Sequence, residues 1–183
     1  MILIAITGAT GIKMAIKLIE VLNEKKINTE LIISKAAELV IQKEADYSLS
    51  EIRKLSTQWY DVHDLAAAPA SGSHIIEAMV IVPCTMKTLA AIANGYADNL
   101  ITRAADVTIK EKRKLVLVVR ESPLSAIHLE NMLKLARLGV VIAPPVPSYY
   151  IKPKSVEELV NYTVGRILDQ ININNEIKRW GDD

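Results

Sequence analysis

Residues 2–11 read Ile2-Leu3-Ile4-Ala5-Ile6-Thr7-Gly8-Ala9-Thr10-Gly11, an unbroken apolar run followed by a small, glycine-bearing turn. A strand with one wet face alternates apolar and polar residues, whereas a strand of a parallel sheet covered by helices on both faces buries every side chain. The run therefore predicts a central parallel strand. Similar runs stand at 79–82 (Met-Val-Ile-Val) and 115–119 (Leu-Val-Leu-Val-Val), with fainter ones at 31–33 and 140–143. Helix-length segments at 12–23, 35–43, 88–94, 101–112 and 125–138 separate them. This rhythm predicts an α/β fold, a doubly wound, mainly parallel sheet with right-handed crossovers. Gly139 suits a left-handed helix C-cap, and the prolines at 144, 145 and 147 close the sheet. Ser155 and Glu158 form a capping-box pattern that opens a last helix through about Leu168.

Ligands of such sheets bind beyond the carboxyl ends of the strands, so the residues after each run are the informative ones. After the first strand, Gly8-Ala9-Thr10-Gly11 opens a helix where backbone amides can approach a phosphate. The turn lacks the GxGxxG spacing of dinucleotide sites, which favours a mononucleotide. Read without a ligand, it is tight packing between strand and helix. Pro83-Cys84-Thr85-Met86-Lys87-Thr88 offers hydroxyls at a helix start, or merely a proline-stopped strand with a threonine cap. Arg103, Lys110, Arg120, Glu121 and Arg166 flank strand ends or small-residue stretches, yet each alone reads as a solvated charge. Strand alternation would point Arg120 and Glu121 to opposite faces.

Composition removes several classes of function. Lys and Arg number 22 against 21 Asp and Glu, which is no footprint for nucleic acid. No apolar run approaches the length of a membrane span. The single cysteine, Cys84, has no internal disulfide partner, and the first residues start a strand without signal-peptide features, so a cytoplasmic setting is expected. Cys84 reads as a small buried hydrophobe. His63, His74 and His128 lack metal-ligand spacing, so no metal is expected. His128, among apolar helix neighbours, reads as structural.

Several stretches together carry a stronger signal: Ala-Ser-Gly-Ser at 70–73, Pro-Cys-Thr-Met-Lys-Thr-Leu-Ala at 83–90, and Ala-Asn-Gly-Tyr-Ala-Asp-Asn-Leu-Ile-Thr-Arg-Ala-Ala-Asp-Val at 93–107. Arg-Glu-Ser-Pro-Leu at 120–124, Ile-His-Leu-Glu-Asn-Met at 127–132 and Pro-Pro-Val-Pro-Ser-Tyr-Tyr at 144–150 complete it. Over essentially the whole chain they closely resemble the flavin prenyltransferases, long described as aromatic-acid or hydroxybenzoate decarboxylases. The resemblance implies one flavodoxin-like, Rossmann-like three-layer domain over 1–183, with a C-terminal helix and tail, assembled into a homo-oligomer, a dodecamer in the family. It implies reduced FMN as substrate, with a dimethylallyl group joined from dimethylallyl monophosphate to N5 and C6, and a product passed to a partner decarboxylase.

Position by position, the resemblance assigns Gly8, Ala9 and Thr10 to the first flavin-phosphate loop. Ser34, then Thr85, Met86, Lys87 and Thr88, and Arg120 match further FMN-binding positions. Tyr150 and Arg166 match the donor-phosphate tyrosine and arginine, and Arg103 and Lys110 match basic residues of the same anion pocket. Glu121 matches the acid beside the flavin, suited to proton relay, and Glu121, Lys110 and Thr10 are the expected catalytic residues. The departures cluster where the family carries serine and Gly-Ala-Ile-Tyr-Gly; this chain has Thr10 and then Gly11-Ile12-Lys13-Met14-Ala15, which bears on pocket shape. A flavin-dependent decarboxylase of cysteine-type substrates is the nearest rival, but its first-helix histidine and Pro-x-Met-Asn motif are missing. A non-enzymatic FMN carrier is the other, and it would have no use for Lys110, Tyr150 and Arg166.

Overall fold

A computed structural model describes residues 1–181; the last two positions of the expected tail lie outside the described residues. Strand β1 (Ile2–Ile6) is central and completely buried. Ile2, Ile4 and Ile6 enter one core cluster while Leu3 and Ala5 enter the other, which is why the run is continuous rather than alternating. Each fully buried Ile or Leu contributes about 1.5–3 kcal/mol. The remaining strands are β2 (Thr29–Ile33), β3 (Gln58–Tyr60), β4 (Ala78–Cys84), β5 (Lys114–Val119) and β6 (Val141–Ile142). All pair in parallel, in the order β3-β2-β1-β4-β5-β6. Helices α1 (Ile12–Glu24), α2 (Lys35–Glu44), α3 (Leu49–Leu55) and α7 (Val156–Gln170) give buried residues to the first core. Helices α4 (Met86–Ala93), α5 (Leu100–Lys110) and α6 (Ala126–Arg137) cover the second.

The chain leaves β1 toward β2 on one side and returns to β4 on the other, so the winding reverses between β1 and β4. Thr7 ties these two strands at their carboxyl ends. Its hydroxyl donates to the Pro83 carbonyl at 2.7 Å and accepts from the Thr85 amide at 2.9 Å. The strand therefore does not stop at Pro83, as the sequence suggested; it runs on to Cys84, with a register shift against β5 between Ile81 and Cys84.

Neither α3 nor β3 was expected from the sequence. The first is held by a full capping box between Ser48 and Glu51, and the second is a short edge strand whose Gln58 and Trp59 are exposed. Helix α4 starts two residues earlier than expected, because Thr85 rather than a later residue caps it. Helix α5 stops at Lys110, and Lys112 takes a left-handed conformation at φ 56°. At α7, Ser155 accepts from the Glu158 amide as the pattern required, but the Glu158 carboxylate reaches the Lys154 amide instead of closing the box on Ser155. Gly139 adopts φ +85°, as a C-terminal glycine should. His128 completes a capping box with Ser125 at the start of α6, a structural role at a half-exposed position.

Candidate active site

At the carboxyl ends of β1, β2 and β4 lies a cavity of ≈ 750 Å³. Of the positions that the resemblance assigned to FMN, Gly8, Ser34, Thr85, Lys87 and Thr88 line it. Local sequence explains their convergence. Ser34 caps α2 by accepting from the Ala37 amide at 3.1 Å, and Thr85 caps α4 by accepting from Thr88 at 3.2 Å. Two helix N-termini, with their partial positive charge, thus open on the same space beside Lys87. A side chain on Gly8 would collide with Ala36 at the start of α2, so the β1 turn comes as close to α2 as glycine permits. The donors and the close backbone approach fit an anionic mononucleotide such as FMN. Lys35, which directly follows Ser34, lines the cavity too, as do His63, Tyr96 and Asn99; those three were missed, because their loops carry no periodic signal.

The turn after β1 leads into α1 and there meets a carboxylate. The first amides of α1, from Gly11 and Ile12, donate to the Glu44 carboxylate at 2.9 and 3.3 Å. Burial works against the charge on Glu44, but the bonds from Thr10, Gly11 and Ile12, with the Arg120 guanidinium nearby, hold its carboxyl below the ordinary value. Glu44 therefore groups with Thr10 and Arg120, and it was missed because it ends α2, far from Gly11 in sequence. Met86 packs on the second core rather than facing the cavity. Of the two unusual residues after Thr10, Met14 is buried in the first core and Lys13 extends to Asp46 at 3.6 Å, so neither occupies the cavity.

Arg120 and Glu121 lie just past β5, both exposed, so strand alternation does not separate them. The Arg120 amide continues the ladder to the Cys84 carbonyl at 3.1 Å, and Glu121 accepts from the Ser122 amide at 3.0 Å.

The four residues that the resemblance assigned to the donor phosphate are not gathered within one chain. Arg103 donates to the Ala70 carbonyl at 3.1 Å and pairs with Asp106 at 2.9 Å, and Lys110 pairs with Glu111. On the other side, Arg166 pairs with Asp169 at 2.7 Å and lines a separate cavity of ≈ 300 Å³ with Pro144, Pro145 and Tyr162. Tyr150 bonds Tyr162 and packs edge-on against Tyr162 and Trp180, with ring centroids 5.9 and 5.1 Å apart.

Cys84 is completely buried, and burial pushes its thiol up to about 12. A thiol held protonated is neither nucleophile nor ligand. Iodoacetamide at about pH 8 is expected to leave the folded protein unlabelled and to label it fully after denaturation; labelling at equal rates in both states would overturn this. Among the described residues, no cluster of His, Cys, Asp or Glu is arranged to hold a metal ion, and no helix is long and apolar enough to cross a membrane.

Comparison with known proteins agrees with this geometry. The Flavoprotein family model matches residues 1–168. The chain is 49% identical over 181 residues to the flavin prenyltransferase UbiX of Methanocaldococcus jannaschii, covering 98% of each. It superposes with a TM-score of 0.95 and 47% identity on AnUbiX (PadA1), solved with FMN and dimethylallyl pyrophosphate, covering 98% of this chain and 97% of that one. A dodecameric FMN-dependent UbiX-like decarboxylase from Escherichia coli O157:H7 gives a TM-score of 0.95 at 44% identity, covering 97% of this chain and 98% of that one. With its central parallel strand, its cavity at the winding reversal and relatives this similar along nearly the whole length, the chain belongs to the Flavoprotein family and, within it, to the flavin prenyltransferases.

Proposed function

We propose that the chain, as one flavin-binding domain, joins a dimethylallyl group from dimethylallyl monophosphate to N5 and C6 of reduced FMN in the cytoplasm, and that a partner decarboxylase uses the product. The observation that carries this reading is the convergence of Gly8, Ser34, Thr85, Lys87 and Thr88 on one cavity at the winding reversal. Reduced FMN supplies the nucleophilic ring atoms. Ser34, Thr85 and Thr88, with the amides of α2 and α4, hold and orient it.

The departing phosphate gains negative charge as the allylic carbon leaves it, so fixed cations and hydroxyls lower the barrier by electrostatic preorganisation. Arg103 and Arg166 suit bidentate contact, Lys110 a point charge, and Tyr150 a neutral hydroxyl bond. The phosphate can take up a proton itself, so the scheme calls for no metal. Apolar walls keep water from capturing the allylic cation. Closing the ring at C6 requires removal of a proton, which falls to Glu121. Glu44 organises the Thr10 turn and places a second carboxylate near Arg120.

Because Arg103 and Lys110 sit on α5 while Tyr150 and Arg166 sit at the α7 side, the donor pocket needs residues from more than one copy. Apolar side chains left exposed along α6 and at its C-cap favour such assembly: Ile127 is 67% exposed, and Leu129, Leu133 and Leu138 are also exposed. A homo-oligomer, with twelve copies as the fullest reading, is the expected state. Light scattering at micromolar concentration should give a multiple of 20.2 kDa, and a monomeric mass would contradict it. Formation of a prenylated flavin from reduced FMN and dimethylallyl monophosphate tests the activity itself.

A further inference from the structure

Glu30 on β2 is only 4% exposed and is the one charged residue among the buried polar groups of the described chain. An ionised carboxylate in that position is costly unless its oxygens are bonded. Both are. Tyr60 on β3 donates to Oε1 at 2.8 Å, and His74 Nε2 lies 2.8 Å from Oε2 and 3.0 Å from Oε1. With Glu30 ionised, Nε2 carries the proton and donates it.

His74 is also held by its backbone. Arg113, between α5 and β5, forks onto the carbonyls of His74 and Gly72, at 2.6 and 2.7 Å. The Ser71-Gly72-Ser73 turn is thereby pinned from two sides, with the Ser71 and Ser73 hydroxyls 2.8 Å apart and both residues exposed. On the α5 side, Arg103 holds the Ala70 carbonyl at the start of the turn. A Cβ on Gly72 would stand 3.0 Å from the Lys110 Nζ, and it would collide with the Glu111 carboxylate. The turn is therefore pressed directly against the Lys110–Glu111 pair.

We infer that Glu30, His74 and Arg113 are positioning residues that set the Ser71-Gly72-Ser73 turn against Lys110 and so fix the half of the prenyl-donor phosphate pocket presented by α5. This rests on the reading that Lys110 meets the donor phosphate. The buried carboxylate, a weak source of stability on its own, then has a reason to be there. It anchors a loop whose backbone limits where the Lys110 ammonium can stand.

The test is calorimetric titration of dimethylallyl monophosphate into the full-length protein loaded with oxidised FMN, whose N5 is not nucleophilic, so that binding is read without turnover. His74→Ala removes the anchor, and Arg113→Lys keeps the charge but loses the fork, leaving a second variant if His74→Ala folds poorly. Each is expected to weaken donor binding about tenfold with FMN affinity unchanged. In a Lys110→Ala background, neither should weaken it further, because residues acting through one another are not additive. Additive effects, a parallel loss of FMN affinity, or full donor affinity in both folded variants while Lys110→Ala weakens binding would overturn the inference alone. Unchanged donor affinity in Lys110→Ala would overturn the donor-site reading and the inference with it.

Discussion

Glu121→Gln is expected to slow prenylated-flavin formation about 10²–10⁴-fold, the range spanned by a positioned general acid or base, while FMN affinity stays nearly unchanged. The amide keeps the size of the side chain and can still accept from the Ser122 amide, now 3.0 Å from Glu121, so the loop after β5 should hold its shape. What it cannot do is exchange a proton. Neighbouring Arg120 is anchored through its backbone to Cys84, which keeps the pair at the strand end whatever the charge at 121. Single-turnover kinetics alongside flavin titration separates the two effects. A variant with full turnover would remove Glu121 from the chemistry and leave Glu44, already grouped with Thr10 and Arg120, as the acid to examine.

Arg166→Ala should weaken donor binding by ~2–3 kcal/mol, the loss expected when a charge-assisted bond to phosphate goes. Its effect on stability should be far smaller. Arg166 is half-exposed and paired with Asp169 on its own helix, and such pairs contribute about 0–1 kcal/mol. Asp169 does not become isolated, since Arg179 donates to it at 2.9 and 3.0 Å. FMN binding should survive as well, because Arg166 lines a cavity separate from the one holding Ser34 and Thr85. Arg166→Lys should restore only part of the affinity, since an ammonium cannot reproduce a planar fork. Equal donor affinity in wild type and Arg166→Ala would mean that the clamp is misplaced, and would favour a flavin carrier.

The fold was legible where burial on both faces forces an unbroken apolar run, as in β1, β4 and β5. Edge elements were not. Gln58 and Trp59 of β3 are exposed and carry no such pattern, and α3 has a single buried side chain, Ile52. The cavity proposed to hold flavin was legible because its polar lining follows the strands directly: Gly8 after β1, Ser34 after β2, Thr85, Lys87 and Thr88 after β4. Glu44 was not, because it reaches α1 from the far end of α2, a contact set by how the helices lie and not by spacing. The donor-phosphate residues came from the family resemblance, and one protomer leaves them in separate places. Arg103 and Lys110 lie beside the 70–73 loop, and Arg166 lies by Pro144 and Tyr162. No local pattern encodes a site that, on the proposed reading, copies of the chain complete.

As a flavin prenyltransferase, this chain uses flavin as its substrate and not as its redox tool. Anaerobic incubation with reduced FMN and dimethylallyl monophosphate, followed by mass spectrometry of the released flavin, tests it most directly. The expected product is a flavin heavier by one C5H8 unit, formed in a time-dependent way and accompanied by stoichiometric phosphate. Recovery of unmodified FMN from folded, flavin-loaded, oligomeric protein would contradict it.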